Sequence, residues 1–175
     1  MRRFAKGMAK MSEAFDLSQG FAEADRPTLV ALLRAYEASL GLKLDFQGFD
    51  DELADLPGEY APPDGALILA RRGGDRVIVG SVGMRGFDRA AGIAEMKRLF
   101  ILPEGRGQGL GRRLAVAAIE AARHAGYAAI RLDTLPSMTE AQSLYAALGF
   151  RDIANYNGNP VPGSRFLEKS LTSEI

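Results

Sequence analysis

The chain has 175 residues, 47% of them hydrophobic, which suits one domain large enough to bury a core. Its 22 basic and 22 acidic residues cancel, so nothing global points to nucleic acid or a membrane surface as partner. Cysteine is absent, which excludes disulfides, thiolate metal sites and an acyl-cysteine intermediate.

Residues 1–12 carry Arg2, Arg3, Lys6 and Lys10 among Phe4, Ala5, Met8 and Ala9 and read as a basic arm, with residues 13–175 as one domain. No apolar run of signal-peptide or membrane-spanning length follows, so a cytoplasmic protein is expected. Phe15–Gly20 reads as a first strand. Asp25 is placed to cap a helix whose apolar positions Leu29, Val30, Leu33, Tyr36 and Leu40 keep helical spacing, with Gly41 just beyond. Phe46, Phe49, Asp50, Asp51 and Glu52 suggest a second short helix, stopped by Pro57-Gly58. Three strand-like runs follow at Ala66–Arg71, Arg76–Arg85 and Gly92–Leu102, separated by Gly73-Gly74-Asp75 and Phe87-Asp88-Arg89.

A long helix is expected from Gly109 to Ala125, with Leu110, Leu114, Ala117, Ala118 and Ala121 inward and Gly126 as its stop. Ala128–Asp133 reads as a strand. Ser137-Met138-Thr139-Glu140 has the spacing of a capping box, opening a helix with Ala141, Leu144, Tyr145 and Leu148 on one face and Gly149 beyond its end. Strands at Phe150–Ile153 and Arg165–Leu171 flank a loop rich in Asn, Gly and Pro. The order is helices, an antiparallel meander, then strand-helix-strand-helix-strand. It implies an α/β fold, a mixed sheet with helices on both faces.

The turn Arg106-Gly107-Gln108-Gly109-Leu110-Gly111 carries the most chemistry. Amides at a helix start lack intrahelical partners, the helix dipole makes that end positive, and glycines let an anion reach the main chain. Arg106, Arg112 and Arg113 add charge, so a phosphorylated cofactor is expected. A P-loop fails because no Gly is followed at the required spacing by Gly-Lys. A dinucleotide fingerprint started at Gly107 ends on Arg112, and one started at Gly105 ends on Leu110. Asp133, where a ribose-binding acid would sit, keeps that reading as a minor rival. The turn does fit Arg/Gln-x-x-Gly-x-Gly/Ala through Arg106, Gly109 and Gly111.

With Leu99-Phe100-Ile101-Leu102-Pro103 before it and Ala141-x-x-Leu144-Tyr145-x-x-x-Gly149-Phe150 after it, this pattern resembles the GNAT superfamily of acetyl-CoA-dependent N-acetyltransferases. The resemblance is strong from about residue 66 to 150. It implies a mostly antiparallel mixed sheet with a splayed central strand pair. It implies that amides of residues 106–111, that is Arg106, Gly107, Gln108, Gly109, Leu110 and Gly111, hold the CoA pyrophosphate, while Arg112 and Arg113 are either 3′-phosphate contacts or solvated helix charges. It also implies that the backbone at Leu99, Phe100 and Ile101 pairs with the pantetheine arm. Met138 stands where many relatives carry Asn, so contacts there should be weaker or rearranged through Ser137 or Thr139.

Acetyl transfer from a thioester to an amine needs a deprotonated amine, a stabilised oxyanion and a proton for the departing thiolate. Tyr145 is the candidate general acid, since a phenol near pKa 10 lies close to a thiol near 8.5. Periodicity alone would make Tyr145 a core aromatic; the resemblance places it beside the sulfur. Glu95 is the candidate base, with a cross-strand ion pair to Lys97 as the structural alternative; at a reference pKa of about 4.3 it would act with help from burial or water. His124, in the last turn of its helix, reads as a dipole-complementing cation. Asp133 either steadies the following loop or faces the acceptor.

Tyr36, Glu37, Phe46, Phe49, Asp50, Asp51 and Glu52 form a candidate acidic and aromatic rim for a cationic amine, the alternative being a solvated loop with two core phenylalanines. Residues 155–162 cover the site from the other side, as a lid or a dimer contact. The expected activity is N-acetylation of a small-molecule or peptide amine by direct attack in a ternary complex, without a metal. The alternative is a non-catalytic acyl-CoA-binding sensor.

Overall fold

The computed structural model describes residues 14–172, so the basic arm expected over residues 1–12 lies outside the described residues. The elements in chain order are β1 (Phe15–Gln19), α1 (Arg26–Ser39), α2 (Phe49–Asp55), β2 (Ala66–Arg72), β3 (Ile78–Asp88), β4 (Ile93–Ile101), α3 (Leu110–His124), β5 (Ala129–Thr134), α4 (Thr139–Ala147), β6 (Arg151–Ile153) and β7 (Arg165–Ser170). The strands form one sheet in the order β1-β2-β3-β4-β5-β7-β6. Every neighbouring pair is antiparallel except β4 with β5. A parallel pair needs a crossover connection, and α3 supplies it.

Strand alternation divides the core between two faces. In β2, Leu67 and Leu69 pack with Leu29 and Leu33 of α1 and Phe49 and Leu53 of α2, while Ala66, Ile68 and Ala70 pack toward Leu110, Leu114 and Ala118 of α3. All five of these β2 residues are buried, as expected of a central strand covered on both sides. No helix among the described residues is long and apolar enough to cross a membrane.

Local details depart from the sequence expectations in four places. β3 runs on to Asp88, so the reversal falls at 89–92, where the Gly92 amide reaches the Arg89 carbonyl and Gly92 adopts φ +71°. The inward face of α3 is Leu110, Leu114, Ala115, Ala118, Ile119 and Ala122 rather than one including Ala117 and Ala121, which are only partly buried. Alanine suits either face, so only Leu110, Leu114 and Ile119 carried a directional signal. Asp25 does not cap α1 with its side chain; its carboxylate binds Arg71 (2.8 Å). The capping box at Ser137–Glu140 does not form, because Met138 occupies the N-cap position and the Gln142 side-chain amide takes the Leu135 carbonyl (2.8 Å).

Candidate functional site

β4 and β5 pair only at Ile93–Glu95 with Ala129–Arg131. Beyond that point β4 continues to Ile101 and β5 to Thr134 with no ladder between them, which is the splay expected of the central pair. A β-bulge turns β4 away. Lys97 faces Gly83 and Phe100 faces Ser81, so Arg98 and Leu99 together oppose Val82 alone. Arg98 carries the bulge in the left-handed region at φ +59°. Its side chain is buried and bonds Glu52 (2.8 and 3.3 Å) and Gln47 (2.8 Å), lying 4.8 Å from the Phe49 ring centre. Tertiary contacts with the α2 segment thus hold a backbone conformation that arginine alone disfavours.

The open half of β4 and the start of α4 border a groove of about 550 Å³ lined by Leu99, Phe100, Ile101, Arg106, Met138 and Leu144. At one end lies the glycine turn. Gly107 and Gly109 have φ of +76° and +71°, with open space where a Cβ would be, so their need for glycine is conformational. Arg113 is the first residue of α3 whose amide finds a backbone partner, the Gly109 carbonyl (3.2 Å); those of residues 107–112 bond no backbone oxygen among the described residues. Gln108 and Arg112 are exposed. Arg106 folds back so that its Nε bonds the Ile101 carbonyl (2.9 Å), and Arg113 bonds the Phe15 carbonyl (3.0 Å). His124 Nδ1 lies 2.7 Å from the Glu120 carbonyl oxygen of its own helix, away from these cavities.

Deeper in the splay a narrow cavity of about 30 Å³ is bordered by Tyr36, Lys97, Leu99, Asp133, Met138 and Tyr145. Tyr145 is both the core aromatic and the cleft residue. Its ring packs on Phe150 (5.6 Å between centres), while its hydroxyl has no hydrogen-bond partner among the described residues. Burial raises its pKa well above the ordinary phenol value, with Tyr36 and Asp133 adding to the rise. Asp133 Oδ2 accepts from Asn159 (2.8 Å) and Asn157 (3.1 Å), and no donor reaches its Oδ1 among the described residues.

On the far side a third cavity, about 360 Å³, is bordered by Phe46, Arg85, Phe87, Glu95, Lys97 and the 157–160 loop. Glu95 is fully buried. Its Oε2 accepts from Arg85 Nη2 (3.0 Å) and Nε (3.2 Å), its Oε1 accepts from Tyr156 (2.9 Å) and Asn157 (3.4 Å), and Lys97 Nζ stands 3.6 Å off. The Tyr156 hydroxyl pKa is pushed up, by burial first and then by this carboxylate. Lys97 is also buried, and desolvation lowers its pKa despite Glu95.

Three of the four acidic residues of the rim expected for a cationic amine are engaged in internal contacts, while Asp51 is exposed. Asp50 binds Arg34 (2.7 Å), Glu52 binds Arg98, and Glu37 accepts the Leu44 amide (2.9 Å). Phe49 is core, while Phe46 stays 44% exposed at the mouth of the third cavity. The segment at residues 155–162 does close the site from that side, through Tyr156, Asn157 and Asn159. Sequence reasoning passed over Lys97, Arg85 and Arg98 as site residues. Their charge was visible, and so was the nearness of Glu95 to Lys97, but the partners that bury Arg98, namely Glu52 and Gln47, lie more than forty positions away.

A model of the acetyltransferase (GNAT) family matches residues 29–150. Curated relatives include an uncharacterized N-acetyltransferase of Schizosaccharomyces pombe, 35% identical over 81% of this chain and 85% of its own length. An uncharacterized Escherichia coli N-acetyltransferase, YjgM, is 32% identical over 74% of this chain and 78% of its own. An enzyme named IAA acetyltransferase from Azospirillum brasilense is 37% identical over 69% of this chain and 77% of its own. Among solved structures, a GNAT-family acetyltransferase of Staphylococcus aureus superposes with a TM-score of 0.75 at 21% identity, covering 91% of this chain and all of that one. The Thermoplasma acidophilum PaiA N-acetyltransferase, solved in complex with coenzyme A, gives 0.69 at 17% identity over 90% of this chain and 99% of that one.

Proposed function

Because this chain belongs to the acetyltransferase (GNAT) family of enzymes, we propose that it transfers an acetyl group from acetyl-CoA to a primary amine by direct attack. One observation carries the reading. The free amides of residues 107–112 open directly into a groove along the unpaired half of β4, and beside that groove's inner end stands a phenol without a partner. Such amides at the positive end of α3 suit a pyrophosphate. The edge of β4 at Leu99–Ile101 that β5 leaves open, opposite its pairing with β3, suits the amides of a pantetheine arm, as an added strand would. The bond between Arg106 and the Ile101 carbonyl would yield to that arm, freeing the guanidinium for phosphate. Gly111 and Met138 complete the wall, Leu110 turns its side chain into the core and offers only its amide, and Gln108 and Arg112 border the phosphate end.

In the transfer, the amine nitrogen bonds the thioester carbonyl carbon, the carbon–sulfur bond breaks, and the thiolate takes a proton. Tyr145 supplies that proton. Its raised pKa keeps it protonated throughout the working pH range, though as a weaker acid than a free phenol, and the phenolate left after donation recovers a proton from solvent. Of the two nearby carboxylates, Glu95 has both oxygens engaged, whereas Asp133 keeps one free toward the cavity that holds Tyr145. These contacts support Asp133 as anchor and proton acceptor of the incoming amine. They support Glu95 as the post that fixes Arg85, Lys97 and Tyr156. The kinship to named N-acetyltransferases favours this enzyme over a cofactor sensor.

Calorimetry with acetyl-CoA, followed by thiol release against a panel of amines, tests the proposal. Binding together with amine-dependent CoA release is expected. Binding with no release from any amine would instead support the sensor.

A further inference from the structure

Lys97 is the one charge in the cleft whose placement the transfer reaction itself leaves unexplained. It is 8% exposed, its ammonium makes no hydrogen bond among the described residues, and its ion-pair partner Glu95 sits 3.6 Å away and is shared with Arg85. A buried ammonium with unused donors is costly unless something anionic comes to it. Lys97 borders both the narrow cavity shared by Tyr145 and Asp133 and the wider one between Phe46 and Phe87. Burial depresses its pKa, with Arg98 and Arg85 adding to the fall and Glu95 and Asp133 offsetting only part of it.

We propose that the acceptor is a small zwitterion, an amine with a carboxylate one or two carbons from its nitrogen, the carboxylate bound by Lys97 and the nitrogen turned toward Asp133. The assignment rests on the acetyltransferase reading above. A purely cationic acceptor would bring an ammonium against Lys97 with Arg85 close behind, a like-charge contact that costs affinity. The short separation follows from Lys97 and Asp133 lining the same narrow cavity. The remaining space, about 360 Å³, admits a metabolite-sized side chain. Phe46 and Phe87, 44% and 38% exposed at its walls, favour an apolar one.

The experiment measures kcat/KM by thiol release for the standard α-amino acids and their β-homologues, paired with decarboxylated counterparts such as L-leucine with isopentylamine and L-phenylalanine with 2-phenylethylamine. At least one acid is expected to exceed its counterpart by about tenfold or more, the worth of one charge-assisted contact. Lys97→Met is expected to erase that preference, mainly through KM, while still binding acetyl-CoA by calorimetry. The wild-type ratio decides whether or not the variant folds. Ratios near one, a preference for the decarboxylated amines, a Lys97→Met enzyme that keeps the preference, or acetyl-CoA binding with no acid turned over would each overturn the assignment. Failure to bind acetyl-CoA at all would instead overturn the acetyltransferase reading, and this inference with it.

Discussion

Arg98 on the bulged strand and Glu52 on α2 form a buried ion pair with Nε and Oε2 2.8 Å apart. The Tyr60 hydroxyl donates to the same carboxylate (2.6 Å), and Gly83 leaves room for the Tyr60 ring, where any Cβ would come within 2.6 Å. The pair ties the opening of the sheet to the helical layer, so a contact remote from the thioester shapes the groove.

Removing the Arg98 side chain strands a mostly buried Glu52. Arg98→Ala is expected to lose about 3 kcal/mol of stability. Arg98→Gly should lose about 1 kcal/mol less, because glycine accepts the left-handed backbone found there. Urea unfolding of both variants checks the order; equal losses would mean that the φ of +59° carries no strain.

Tyr145→Phe is expected to lower turnover by more than about tenfold while leaving acetyl-CoA affinity nearly unchanged. The pKa of Tyr145 is raised, so the hydroxyl does not titrate across the working range and the pH profile should keep its shape as it falls. Unchanged turnover removes the phenol from the mechanism and leaves it a core aromatic.

The two carboxylates separate by activity against stability, read by steady-state kinetics and urea unfolding. Asp133→Asn should lower kcat/KM by more than about tenfold, since the free Oδ1 is lost. Glu95→Gln should largely keep kcat/KM but weaken the fold by about 3 kcal/mol, because buried Arg85 and Lys97 lose their shared countercharge. The reverse pattern would restore Glu95 as the base.

Gly109→Ala forces a Cβ into a left-handed position and is expected to cost about 1 kcal/mol of stability. It should also weaken acetyl-CoA binding by disturbing the amide turn. Calorimetry and thermal unfolding on the same sample check both; full affinity in the variant would mean that the turn does not hold the pyrophosphate.

Lys97 makes stability depend on pH with a definite sign. Its pKa is lowered in the folded state, so between that value and the unfolded value of roughly 10.4 the unfolded chain binds more protons and stability rises with pH. Below that window the full cost of the buried charge is present. Lys97→Met is therefore expected to raise the Tm at neutral pH, with the gain shrinking as pH climbs toward 10. A Tm difference that does not change with pH would contradict this.

Much of the fold was legible because its signals are local. Glycines at 107, 109, 126 and 149 mark backbone that few other residues adopt, and they bracket α3 and mark the end of α4 within a residue or two. The Leu positions of α3 told inside from outside. The capping box misled because Ser137 and Glu140, though correctly spaced, border the groove and leave the N-cap position to Met138. The acidic rim misled for a related reason: composition shows charge but not the partner that cancels it.

The chain's own pattern determined the individual strands, the glycine turn at the head of α3 and the phenol on α4, since each depends on residues a few positions apart. Tertiary structure alone decided what the charges do. Glu95 meets Tyr156 across 61 positions, Arg98 meets Glu52 across 46, and Asp133 meets Asn159 across 26. Whether a carboxylate is a free base or a tied post depends on such distant neighbours and on the water they exclude, and no local spacing encodes either.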